Sequence, residues 1–133
     1  MDLAGAYPEE AGVEKWERTI RLRRKDKAEI TVTDEYTLEE PSRSIHLNFM
    51  TAQGFDLKTP GRIVFEGGEG TDVILAYDEQ MFEAEVQTIE LTDPKIQKDW
   101  ERECLYRLQL RTVSASRSNK LSVRISKTPR LPL

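Results

Sequence analysis

The stretch WERTIRLRRKDKAEITVTDEYTL, residues 16–38, decides the fold. Trp16, Ile20 and Leu22 occupy even positions, and so do Ile30, Val32, Tyr36 and Leu38. Such alternation sends apolar side chains to one face of an extended chain and charged ones to the other. The pattern breaks at Arg24-Lys25-Asp26-Lys27, a polar run too short for a crossover, so two antiparallel strands meet there. Matching inner faces require facing positions of equal parity. A three-residue loop at 25–27 therefore pairs Leu22 with Ile30, Ile20 with Val32 and Trp16 with Tyr36. The same register sets Arg18 opposite Asp34 on the otherwise apolar face.

Two roles are open to that pair. One is a polar site on the sheet face that holds a sugar carboxylate or sulfate. The other is a cross-strand ion pair satisfying two half-buried charges, since an unpaired buried charge is costly. An arginine already occupied by Asp34 is a poor ligand hook, which favours the structural role.

Outward from the hairpin, residues 1–12 read as an irregular lead-in broken by Pro8 and Gly12, and the chain is expected to be part of a longer polypeptide. A third strand at 45–51 turns Ile45, Leu47 and Phe49 inward and His46, Asn48 and Met50 outward. Residues 53–61 read as a loop, followed by a strand at 62–66 and a turn at Gly67-Gly68-Glu69-Gly70. Strands follow at 73–77 and 81–91. Phe82, Ala84 and Val86 share one parity while Ile89 and Leu91 take the other, which predicts a bulge near Gln87-Thr88. Asp93-Pro94 is a helix start, with Trp100 expected to plug the core. A strand at 104–113 buries Cys104 with Tyr106, Leu108 and Leu110. A turn at 117–120 leads to the last strand at 121–126. Short strands at close intervals, one brief helix and no parallel crossover units predict an all-β fold, an antiparallel two-sheet sandwich of about eight strands. The sandwich spans 13–127 and a flexible tail spans 128–133.

Composition narrows function mainly by exclusion. No apolar run of the 133 residues reaches membrane-span length, and MDLAGAYPEE lacks the basic start and apolar centre of a signal peptide. The single cysteine, Cys104, and single histidine, His46, support neither an internal disulfide nor a paired-imidazole metal site, and no cofactor is expected. Acidic residues around the glycines, Glu66, Glu69 and Asp72, lack the regular spacing of a calcium loop. No nucleophile–histidine pairing is visible, and the four tyrosines would need lowered pKa values to act as bases. Nucleic-acid motifs are absent too.

Charge is unevenly spread. Residues 28–103 hold 18 acidic and 6 basic residues, whereas Arg107, Arg111, Arg117, Lys120, Arg124, Lys127 and Arg130 follow with no acid among them. These basic strands either meet a polyanion, with Arg107, Arg117, Lys120 and Arg124 as candidate glycan contacts, or lie beside the acidic middle strands. Cross-strand pairing of opposite charges is the commoner outcome.

The order of motifs goes further. LAGAYPEEAGVEKWERTIRL, ITVTDEYTL and DPKIQKDWERECLYRLQL resemble the closing part of heparinase II/III-like proteins. The pattern of that family is a tyrosine-containing lead-in, a W-x-R strand, an I-x-D-x-Y/F strand and a late D-P…W…L-Y-R segment. Here these fall at Tyr7, Trp16 with Arg18, Asp34 with Tyr36, and Asp93 through Trp100 to Tyr106-Arg107. The resemblance implies a polysaccharide lyase that cleaves uronate-containing glycans by β-elimination. It further implies a helical toroid preceding the β-sheets as this segment's partner, and a periplasmic or secreted location. The family's catalytic tyrosine and histidines lie upstream of the matched region, so no catalytic residue is carried over. The resemblance thus implies a non-catalytic C-terminal domain. A carbohydrate-binding module and a purely structural sandwich remain as alternatives.

Overall fold

The first two strands, β1 (Val13–Arg23) and β2 (Glu29–Ser42), pair antiparallel, with Leu22 facing Ile30, Ile20 facing Val32, Trp16 facing Tyr36 and Arg18 facing Asp34. The register deduced from parity is therefore the register of the protein. The computed structural model describes residues 1–24, 28–42, 45–52, 54–67 and 70–129, without the side chains of 42 and 129. The expected loop at 25–27 and the end of the tail lie outside the described residues, as does Glu69 of the glycine turn.

Seven more strands follow: β3 (His46–Thr51), β4 (Phe55–Thr59), β5 (Arg62–Glu66), β6 (Thr71–Ala76), β7 (Phe82–Glu90), β8 (Cys104–Thr112) and β9 (Ser116–Pro129). They form two antiparallel sheets, a six-stranded one in the order β1-β2-β9-β6-β5-β4 and a three-stranded one in the order β3-β8-β7. The fold is an all-β sandwich. The last strand of the chain sits inside the large sheet between β2 and β6, so its two halves are joined only when the C-terminal segment is in place.

The core lies between the sheets. Trp16, Tyr36, Leu38, Ile63, Leu75, Leu121 and Val123 enter it from the large sheet, and Leu47, Phe82, Leu108 and Leu110 from the small one. Each follows from period-two alternation, and full burial of such a side chain contributes about 1.5–3 kcal/mol.

Several expectations are corrected. Phe55–Thr59 is a strand rather than loop, because Pro60-Gly61 turns it onto β5, with Gly61 at a φ of 81° that favours glycine. At the other end of β5, a Cβ on Gly67 would collide with the Thr71 carbonyl, so only glycine fits. No bulge interrupts β7, since every pair from Phe82↔Thr112 to Glu90↔Cys104 keeps one register. The parity switch is instead shared, with Ile89 facing Leu105 on the opposite face of the hairpin from Phe82, Leu108 and Leu110. Residues 117–120 are strand, because β9 starts at Ser116 and pairs Ser118 with Thr37 and Lys120 with Glu35. Thr128 and Pro129 of the expected tail continue that strand opposite Asp72 and Thr71. The lead-in holds two 3-10 turns, Ala4–Ala6 and Glu9–Ala11.

The helix α1 (Pro94–Trp100) begins as expected, with Asp93 accepting from the Lys95 backbone N–H at 2.9 Å. Trp100 does not plug the core. It is 47% exposed, and Ile96, one turn earlier, is exposed as well. Cys104 is half-buried rather than enclosed.

Ile20, Leu22 and Ile30 hold the inner parity yet are 58%, 50% and 37% exposed, because the three-stranded sheet does not extend over the distal end of the hairpin. This contrast predicts a graded response to truncation. Leu121→Ala, at a fully buried site, is expected to lower unfolding free energy by about 3 kcal/mol, and Leu22→Ala by about 0.5 kcal/mol or less, both read from urea titrations.

Candidate functional site: an aromatic and ionic corner of the large sheet

Where β1 meets β2 nearest the lead-in, five side chains converge. The Trp16 ring stacks on Tyr36 with centroids 4.9 Å apart and planes 19° from parallel. Tyr7, carried there by the 3-10 turns, lies 5.8 Å from Trp16. One pair further along the strands, Arg18 grips Asp34 with two bonds, Nε to Oδ1 at 2.7 Å and the second guanidinium nitrogen to Oδ2 at 2.8 Å. The fork satisfies both carboxylate oxygens, a geometry that arginine provides and lysine does not.

Burial differs sharply across the pair, since Asp34 is 1% exposed while the Arg18 side chain keeps 35%. The hydrogen bond with Asp34 raises the Arg18 pKa above its ordinary value, and burial works in the opposite direction. Both strong contacts of Arg18 point inward to Asp34, which leaves a weak case for it as a glycan hook. Burial raises the Tyr36 phenol, with Asn119, its register partner, pulling the other way. The Tyr36 hydroxyl nevertheless stops short of hydrogen-bond geometry, and neither it nor Trp16 Nε1 finds a partner among the described residues. Tyr106 is also raised, chiefly by its contact with the Cys104 thiol. A tyrosine acting as general base needs the opposite shift.

Beside this corner a cavity of about 270 Å³ is lined by Tyr7, Ala11, Val13, Leu38 and His46, among others. His46 lies on the outward side of β3 and is exposed, as its parity requires.

The basic residues of the C-terminal strands do not form one patch. Arg107 lies on the outer face of the small sheet, bonded to Gln87 at 3.2 Å. On the same face Arg111 pairs with Glu83 at 2.6 Å and with Glu85 at 3.3 Å. Lys120 and Arg124 lie on the outer face of the large sheet, Lys120 opposite Glu35 and Arg124 opposite Thr31. Arg117 sits at the sandwich end, donating to the Leu38 carbonyl at 2.9 Å and reaching Glu14 at 3.6 Å. Arg111 and Arg117 thus meet carboxylates, as cross-strand charge pairing predicts, while Arg107 meets an amide and Arg124 stands opposite a threonine. Sequence reading overlooked two part-exposed aromatics, Tyr7 at 44%, which packs one face on Trp16, and Trp100. The seven-residue helix, too short to bury both faces, is the one sequence sign of the second.

Among the described residues no helix is long and apolar enough to cross a membrane, and no group of histidine, cysteine and carboxylate side chains is set to hold a metal. In comparisons with known proteins, no family model matches this chain and no curated sequence does.

Removing one member of the buried pair has a predictable asymmetry. Arg18→Ala strands the Asp34 carboxylate in the core and is expected to cost about 3–5 kcal/mol. Asp34→Asn keeps an acceptor for Arg18, which can also turn to water, and is expected to cost less. Chemical denaturation of the two variants side by side checks the order.

Proposed function

We propose that this chain is the non-catalytic C-terminal β-sandwich domain of a heparinase II/III-like polysaccharide lyase. The parent protein acts on acidic, uronate-containing glycans by β-elimination in the periplasm or outside the cell. Its partner within that protein is the preceding helical toroid, against which the sandwich forms one wall of the substrate cleft.

The observation that carries the reading is the convergence of residues from three of the four motif segments, the fourth lying apart on α1 and β8. Tyr7, Trp16 with Arg18, and Asp34 with Tyr36 come from three separate motif segments of the resemblance and meet in a single packed corner. Residues that recur together as a pattern and pack together as a unit support a shared scaffold. Two of the C-terminal basic residues are engaged by carboxylates, Arg111 by Glu83 and Glu85 and Arg117 by Glu14, which favours a supporting role for them over polyanion capture. Under this reading the domain positions the toroid and carries out no elimination itself.

A second reading, a carbohydrate-binding module, draws on the exposure of Trp100, since a sugar ring can stack on an outward indole. Tryptophan fluorescence separates the two, because Trp16 is buried and Trp100 is not. Titration with heparan sulfate oligosaccharides is expected to leave emission unchanged under the scaffold reading. A saturable change lost in Trp100→Phe would replace it with the binding-module reading. The scaffold reading also expects a parent lyase without residues 13–127 to lose its eliminase activity. Full activity of that truncated parent would contradict it.

A further inference from the structure

The outer face of the large sheet, turned away from the core, carries a line of arginines. Arg21 on β1 faces Thr31 on β2, Thr31 faces Arg124 on β9, Arg124 faces Ala76 on β6, and Ala76 faces Arg62 on β5. One row across neighbouring strands therefore runs arginine, threonine, arginine, alanine, arginine. All three arginines are exposed, and none forms an ion pair or a side-chain hydrogen bond among the described residues. Neighbouring strands lie about 4.8 Å apart, so the arginines recur about every 10 Å. The row needs no free sheet edge, because a further strand beside β1 would leave each of these pairings in place.

The surroundings confine an anion to this line. On one side runs a neutral row of hydroxyls, Thr19, Thr33 and Ser122, and Thr19, Arg21, Thr31 and Thr33 line a cavity of about 440 Å³. Beyond that row Glu17 and Glu35 engage Lys15. On the other side Arg23 faces Glu29, and further along Asp72 faces Glu66. Both flanks thus carry carboxylates, and the unbalanced positive charge lies on the row. No aromatic of the large sheet stands on this face among the described residues, since Trp16, Tyr36, Phe55, Phe65 and Tyr77 all pack toward the core.

We propose that Arg21, Arg124 and Arg62 form a binding site for an unbranched glycan in which every second sugar carries a carboxylate. A pyranose ring spans about one strand spacing along its chain, so acidic sugars meet the arginines and the neutral sugars between them meet Thr31 and Ala76. Sugar hydroxyls find donors and acceptors in Thr19, Thr33 and Ser122. An acidic peptide fits poorly, because same-side groups of an extended chain recur about every 7 Å and fall out of step with the arginines. A nucleic acid fits poorly too, because this face offers no aromatic ring on which its bases can stack. The site uses none of the arginines that Glu83, Glu85 and Glu14 engage. It stands on the register of the large sheet and is independent of the lyase reading.

NMR titration of the full chain with a hyaluronan hexasaccharide, which has a carboxylate on every second sugar, tests it. Saturable amide shifts are expected around Arg21, Arg124 and Arg62. Arg124→Gln is expected to weaken binding by about tenfold, whereas Lys95→Gln, the same loss of charge on α1, is expected to leave it unchanged. The decisive variant is the exchange Thr31→Arg/Arg124→Thr, which swaps two facing residues and keeps net charge while breaking the spacing. Its amide spectrum reports that the sheet is intact, and its affinity is expected to fall as far as that of Arg124→Gln. Hexagalacturonate, with a carboxylate on every sugar and twice the charge, is expected to bind no more tightly than the hyaluronan probe. No saturable shift at millimolar hexasaccharide, shifts confined to other faces, native affinity in the exchanged variant, or tighter binding of hexagalacturonate would each overturn the proposal.

Discussion

A carboxylate enclosed in an apolar sheet face constrains this molecule more than any other single feature. Asp34 is almost wholly removed from water and both its oxygens are taken by Arg18 from the neighbouring strand. Apolar alternation alone tolerates a slip of two residues, since such a slip returns every side chain to the same face. The ion pair does not tolerate it, because Asp34 would then face Ile20 or Trp16 with no cation to meet it. Alternation selects the face, and the charge selects the position.

From that fixed point the rest of the large sheet follows. β2 in register with β1 offers its other edge to β9, and β9 carries the pairing on to β6, β5 and β4. The small sheet covers the middle of this platform and buries Leu121, Val123, Ile63 and Leu75, but not the far end of the hairpin. One sheet twice as wide as the other leaves the apolar positions Ile20, Leu22 and Ile30 exposed. The sandwich thus has a packed corner at Tyr7, Trp16 and Tyr36 and a less covered end at Ile20, Leu22 and Ile30.

What the sequence made legible was local and periodic. Residues 16–38 yielded the hairpin register and its ion pair, and Asp93-Pro94 yielded the helix start. Features set by distant partners were hidden. β4 offers only Phe55 and Leu57 as apolar positions before Pro60-Gly61, too few for periodicity to separate strand from loop. The parity change along β7 looked like a bulge because one strand alone cannot reveal that β8 changes face with it. Exposure of Ile20, Leu22 and Trp100 depends on how far the opposing layer extends, and alternation does not encode that. Of the candidate glycan contacts, Arg107, Arg117, Lys120 and Arg124, sequence gave the charge but not the dispersal over two outer faces and one end.

The claim that the buried ion pair sets the position of β1 on β2 is tested most directly in the double variant Arg18→Met/Asp34→Leu, which keeps volume and removes both charges. Cross-strand nuclear Overhauser contacts along the hairpin are the measurement. The account predicts a folded protein in which Ile20 contacts Val32 in one population and a residue two positions away in another. A single population with only the native contacts, Ile20 to Val32 and Trp16 to Tyr36, would contradict it and assign the register to packing alone.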